Sequence, residues 1–446
     1  MITCAAICTL SCGGPDPCVG PSIEPPPVRE SASGPRACLA TTDLDAILSR
    51  ALADARFDEV IDLGRDEPST CAVDRSCGRI ARTPSVDVAV IAFPPGCPPA
   101  FANALLSSET GGVKLARFDP DRLDVRGVRY RKWDQAAWDG APRRFNASDD
   151  LVPPAHDAAD GAVDFVSPYP ASNFKLLVAV KLLELVDRGV VLLERRFEHE
   201  GREREVGAWL ADMITWSDDD STEALVRLLH ELGFASTIDA TFERLGLTTL
   251  QMKDTSASTG RGWHPGHIHM TAWDTARLLW LLDPDAPAPT WLAPDGAPVD
   301  TGFLTSDSRR RLTALLGDQA FHALDTPDHC RAPLGTPGIP ARVPERWAPS
   351  DGAPSGCNAT ADVTFAHKTG LTLNFGSDAG IVRGIAGRAR RHYVIAFFSN
   401  LGHRYADADQ VAGNGPCRDE GICYTRRIAR LAGTVDAAIA EASGDR

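Results

Sequence analysis

Strand-like stretches stand near the two ends of this chain with a long helical stretch between them, and that order restricts the fold more than any other feature. "SVDVAVIAF" (85–93) alternates and then turns fully apolar, as a sheet strand does. Comparable stretches return at "VTFAHKTGL" (363–371), "AGIVRGIAG" (379–387) and "RHYVIAFFSN" (391–400). Between them, 172–187, 205–215, 221–232, 236–245 and 271–283 carry helical spacing, and Pro-rich loops fill 284–300 and 333–356. A helix over 42–56, capped by Thr42 and with Leu44, Ile47, Leu48 and Leu52 on one face, precedes the first strand. Another over 422–442 closes the chain. The expected fold class is therefore α+β: an antiparallel sheet flanked by helices formed from both chain ends, with an all-helical lobe inserted. Residues 94–160 are turn-rich and receive no assignment, and Asp378 in "GSDAG" reads as a turn residue.

A chain of 446 residues is longer than one hydrophobic core usually serves. Four regions are expected. Residues 1–36 are an export leader and Pro-rich tether, and 37–165 the N-terminal part of the sheet domain with an extra disulfide-bearing segment. Residues 166–300 form the helical lobe, and 301–446 the C-terminal part of the sheet domain. The opening "MITCAAICTLSC" is apolar but too short to span a bilayer, and seven prolines follow within 13–36. It reads as the tail of a secretory leader. Cys12, before Gly-Gly, is a candidate lipid anchor, and an ordinary leader without lipid fits equally.

The formal charge of −14 argues against nucleic acid or anionic lipid as a partner, because a phosphate backbone is held by a basic surface. Twelve cysteines, several in close pairs (Cys71 with Cys77, Cys330 with Cys357, Cys417 with Cys423), read as disulfides of an oxidising compartment, hence a periplasmic or cell-surface location. Zinc competes as an explanation, but the chain has no C-x-x-C pair, and neither a metal nor an organic cofactor is expected.

Chemistry enters at "SPYPASNFKLLVAVKLLELVDRG" (167–189). One of only six lysines in the chain stands there at the start of an apolar helix, three residues after a serine. In a helix beginning near Ser172, Ser172 and Lys175 would share a face. A serine hydroxyl needs a base to become a nucleophile, and burial makes an amine available as one. The helix N-terminus adds free N–H groups that stabilise an oxyanion. By itself S-x-x-K is equally a capping serine and a solvated lysine. Two further triplets follow: "WSDDDST" (216–222), with Ser217 and Asp219 on a turn, and "HKTG" (367–370), which sets a strand Lys and Thr beside a glycine that permits close backbone approach.

The ordered set S-x-x-K, S-D-x, K-T-G resembles the class A β-lactamase-like serine hydrolases among the penicillin-recognising serine enzymes. "MITWSDDDST", "FERLGL", "MTAWDTARLL" and "AHKTGLTLNFGSDAGIVRG" also read like segments of that family, over roughly residues 165–400. The resemblance implies that Ser172 is the acylated nucleophile, Lys175 its proton acceptor, and Ser217 the relay to the leaving group. Asp219 stands in the substrate-binding S-D-x triplet. Lys368 and Thr369, beside Gly370, would hold a substrate carboxylate, and the backbone N–H groups of Ser172 and Leu371 the carbonyl oxygen. It implies a small-molecule or peptide substrate and no cofactor; a monomer is expected.

Two departures bear on activity. Asp219 replaces the asparagine of S-D-N and favours the ammonium form of Lys175. The loop 248–270 lacks the glutamate that activates the deacylating water, which argues against efficient β-lactamase activity. Asp254, His267 and His269 are the replacement candidates; the three histidines of "HPGHIH" (264–269) are equally readable as a plain turn or, less readily, as metal ligands. A D-alanyl peptidase or esterase, and a receptor that is acylated without turnover, remain alternatives.

Overall fold

A six-stranded antiparallel sheet takes its strands from both ends of the chain. The computed structural model describes residues 38–64, 77–132, 163–325, 338–347, 358, 360–412 and 425–445. Cys12 and the region 1–37 lie outside the described residues, as do Cys71, Cys330, Cys357, Cys417 and Cys423. The strands are β1 (Val86–Ala92), β2 (Ala100–Ser107), β3 (Gly112–Leu115), β4 (Val363–Leu371), β5 (Gly376–Gly384) and β6 (His392–Ser399). Their order is β4-β5-β6-β1-β2-β3, so β6 and β1 join the C-terminal and N-terminal segments, with Ile395 opposite Val90.

Every residue of β1 is buried, because both faces of the sheet are covered. On one face Val86, Val88, Val90 and Ala92 pack with helix α1 (Thr41–Ala55), through Leu44, Leu48 and Leu52, and with the C-terminal helix Arg427–Ser443, through Leu431, Val435 and Ile439. On the other, Ala89 and Ile91 join the core of the helical region. That region comprises α2 (Lys175–Asp187), α3 (Val206–Thr215), α4 (Asp219–Glu231), α5 (Ile238–Glu243), α6 (Ala272–Leu282) and α7 (Ser306–Leu316). Among the described residues no helix is long and apolar enough to cross a membrane.

Asp87 fastens the sheet to the helices. It points into the helical side of β1, accepts from Asn103 Nδ2 of β2 at 2.7 Å and from the backbone N–H of Ala272 at 2.9 Å. Burial of this carboxyl pushes its pKa up to about 7.

Several expectations shift. Ser172 lies in a 3₁₀ turn, Ala171–Phe174, and the α-helix starts only at Lys175. The strand expected over 379–387 runs from Gly376 to Gly384, and Asp378 is a fully buried strand residue, not a turn. Small residues at 376–378 weaken the local strand signal, while pairing with both β4 and β6 supplies the order. Strands β2 and β3 lie in the stretch that carried no assignment, and α7 was not anticipated between its loops. Cys38 and Cys97 form a disulfide that closes α1 onto the β1–β2 turn. Cys77 is also disulfide-bonded.

Candidate active site

The turn carrying Ser172 is pressed against the edge strand β4. Tyr169 and Pro170 lead into it, and Ala171 takes a left-handed backbone conformation (φ 47°) that bends the chain sharply before the serine. Gly370 of β4 lies so close that a Cβ there would stand 2.4 Å from Pro170 O, 2.5 Å from Ser377 Oγ and 2.7 Å from Ser172 N. Only glycine fits this contact. Ser377, opposite Gly370 on β5, pins the arrangement: its hydroxyl donates to Pro170 O and accepts from Asn173 Nδ2 at 2.9 Å.

The open edge of β4 faces the same turn. In the β4–β5 hairpin Thr372 N donates to Phe375 O at 2.8 Å, so by the alternation of an antiparallel ladder Leu371 N–H points away from β5, to the outside. The backbone N–H groups of Ser172 and Leu371 thus belong to two segments in direct contact. An oxyanion placed between them would receive two donors, as an acyl-transfer site requires.

Ser217 gathers the cations. It follows α3 in a left-handed conformation (φ 58°) that turns the chain back before Asp218 caps α4. Lys368 Nζ donates to Ser217 Oγ at 2.8 Å and to Thr369 O at 2.8 Å. Lys175 Nζ donates to the Ser217 carbonyl, lies 3.4 Å from its hydroxyl, and makes a 2.6 Å ion pair with Asp219 Oδ1. Both lysines are fully buried, whereas the Asp219 side chain is 68% exposed.

Burial lowers the Lys175 pKa, and the Asp219 carboxylate opposes that shift. Lys368 is driven well below the usual amine range by burial and then by the charge of Lys175. The site therefore brings together Ser172, Lys175, Ser217, Asp219, Lys368, Thr369, Gly370 and Leu371. Lys175 Nζ bonds to Ser217 and Asp219, with the turn of Ser172 directly before it in the chain.

The loop 248–270 reaches the site through Trp263, whose ring packs on Phe174 at 5.4 Å and whose carbonyl accepts from Tyr169 Oη at 2.7 Å. Two of its three candidate bases are bonded within the loop itself. His267 Nδ1 is 2.8 Å from Gly262 O, and His269 Nε2 is 2.8 Å from Gly266 O. His269 is buried, which pushes its pKa down to about 3 and keeps the ring neutral. Asp254 is exposed on a left-handed turn (φ 56°).

Sequence reasoning missed Ser377, Asn173 and the aromatic pair at the rim. Trp216, 52% exposed directly before Ser217, meets Trp347 edge to face at 4.3 Å. Trp347 Nε1 in turn donates to Asp318 O.

No protein-family model matches the chain, and no curated protein does. Solved structures do resemble it. A β-lactamase from Xanthomonas campestris pv. campestris is 14% identical, with 90% of this chain and 98% of that one covered and a TM-score of 0.43. A β-lactamase from Sphaerobacter thermophilus gives 14%, 90%, 97% and 0.43. The structure of PBP-A gives 19%, 62%, 85% and 0.38.

Proposed function

We propose that this chain is a serine hydrolase that forms an acyl-enzyme on Ser172 with a small-molecule or peptide substrate carrying a carboxylate, and releases it slowly. The observation that supports this most is the meeting of two buried lysines on Ser217, next to a serine turn locked against a strand edge. Surface lysines solvate freely, and burying two of them within reach of one hydroxyl is costly unless the site uses them.

In this reading Ser172 Oγ attacks the substrate carbonyl and its proton passes to the neutral amine of Lys175. The oxyanion is held by the Ser172 and Leu371 N–H groups. The proton then reaches the leaving nitrogen or oxygen by way of Ser217 Oγ, the C–N or C–O bond breaks, and the acyl group stays on Ser172. A substrate carboxylate at Lys368 and Thr369 supplies the negative charge that restores the Lys368 ammonium. Slow release follows from the loop: His267 and His269 bond to carbonyls of the loop itself, and burial makes His269 a weak base.

The disulfide Cys38–Cys97 and the cysteine load support an exported location. Intact-mass spectrometry after mixing with penicillin G tests the reading. A long-lived adduct of full penicillin mass, absent in Ser172→Ala, is expected. A rapidly vanishing adduct would replace slow release by turnover, and no adduct with any β-lactam or D-alanyl ester would remove the acyl-enzyme itself.

A further inference from the structure

Behind Lys368, on the opposite face of β4, the chain gathers two imidazoles and two carboxylates out of solvent. His367 Nδ1 stands 2.8 Å from Asp378 Oδ1 of β5. An ionised carboxylate only accepts, so this ring nitrogen donates, and in the neutral imidazole Nε2 carries the lone pair. Nε2 faces Asp325 Oδ1 at 3.8 Å. That oxygen has no hydrogen-bond partner, although the Asp325 side chain is only 4% exposed. The other Asp325 oxygen is 2.9 Å from His322 Nδ1.

His322, Asp325 and His367 each offer one ligand atom, and these atoms lie within 4.8 Å of one another. The ring nitrogens of His322 and His367 each face one oxygen of the Asp325 carboxylate, at 2.9 and 3.8 Å, the order of spacing that tetrahedral zinc, with bonds of about 2.0–2.1 Å, sets between its ligand atoms. A ligating histidine characteristically gives its other ring N–H to a carboxylate, as His367 does to Asp378. Asp378 is also bound by the backbone N–H groups of Ala323 and Leu324, at 3.2 and 3.0 Å, so the loop that carries His322 and Asp325 is already docked on β5.

We propose that His322, Asp325 and His367 bind one divalent transition metal of the zinc class, with Asp378 orienting His367, and that the ion clips segment 321–325 to the back of the strand that presents Lys368 and Thr369. The fourth position is left to water. The proposal does not depend on the chemistry of Ser172.

Full-length protein stripped with a chelator and titrated with zinc against a chromophoric competitor should bind one equivalent. His322→Ala and Asp325→Asn should each weaken that binding at least tenfold, and His267→Ala, in the separate loop, should leave it unchanged. Should the first two variants fail to fold, the cobalt-substituted parent decides. Two hyperfine-shifted imidazole N–H resonances and no thiolate charge-transfer band are expected. Absence of zinc binding, unchanged affinity in folded His322→Ala and Asp325→Asn, or a thiolate band would overturn the site.

Discussion

Lys175 Nζ and Asp219 Oδ1 form a 2.6 Å ion pair in which the cation is fully buried and the carboxylate is mostly in water. The lysine cannot leave its place in the helix, whereas the aspartate can swing out. The carboxylate therefore acts as a restraint on the amine. While it stays, it favours the protonated form of Lys175 and opposes the effect of burial.

Asp219→Asn removes that restraint. The Lys175 pKa then falls further, because burial is no longer opposed by a carboxylate, and the share of free amine at neutral pH rises. Each unit of fall is tenfold in that share well below the pKa. Acylation by a chromogenic cephalosporin should quicken by roughly threefold or more, with its rising limb displaced to lower pH. An unchanged rate and pH profile in stopped-flow acylation would rule out Lys175 as the acceptor restrained by Asp219.

Gly370→Ala and Ser377→Ala test the contact between β4 and the Ser172 turn from two directions. The alanine at 370 must push back Pro170 O, Ser377 Oγ or Ser172 N, at a cost of about 1–3 kcal/mol for overpacking. Ser377→Ala leaves Asn173 Nδ2 unpaired in the interior and costs about 1–3 kcal/mol. Urea unfolding measures both losses. Acylation of the folded fraction should slow in both, since each shifts Ser172 relative to Leu371; full acylation rates in either variant would show that the apposition does not set the geometry.

Asp87 gives a pH dependence with a definite sign. Its folded pKa of about 7 stands above the ordinary aspartate value, so between about 4 and 7 the native state binds the extra proton. Its contribution to stability is complete below the unfolded value and is lost as pH rises through 7, with a limiting slope of about −1.4 kcal/mol per pH unit. His269, depressed to about 3, contributes the opposite slope as pH falls below 6.5. The difference between parent and Asp87→Asn therefore isolates the aspartate. The variant loses one accepted bond, yet its stability should gain on the parent's as pH rises from 5 to 7; parallel curves in chemical denaturation would contradict a buried, protonating Asp87.

Much of this was legible in the residues. The helix expected over 42–56 and the strands over 85–93 and 363–371 coincide with Thr41–Ala55, Val86–Ala92 and Val363–Leu371 to within a residue or two, because their apolar spacing alone defines a buried face. The residues of the three motifs do converge, as Lys368 and Ser217 show across a wide stretch of chain. What escaped was set by contact between segments. Gly376, Ser377 and Asp378 are poor strand formers held in place by neighbours on both sides. Ser377 matters through Pro170 and Asn173, and Trp216 through Trp347, pairs that no local pattern joins. The histidine and aspartate of segment 321–325 sat between the two Pro-rich loops, in a stretch that received no reading of its own.

The adjacency of β1 and β6 has a consequence for synthesis. A strand that is apolar but for Asp87 emerges from the ribosome about 300 residues before the strand that seals one of its edges. At usual translation speeds of about 5–20 residues per second it waits on the order of 15–60 s. During that interval the hairpin with β2 guards only one side, so the nascent chain presents an adhesive ribbon that a holding chaperone must cover until the C-terminal segment arrives.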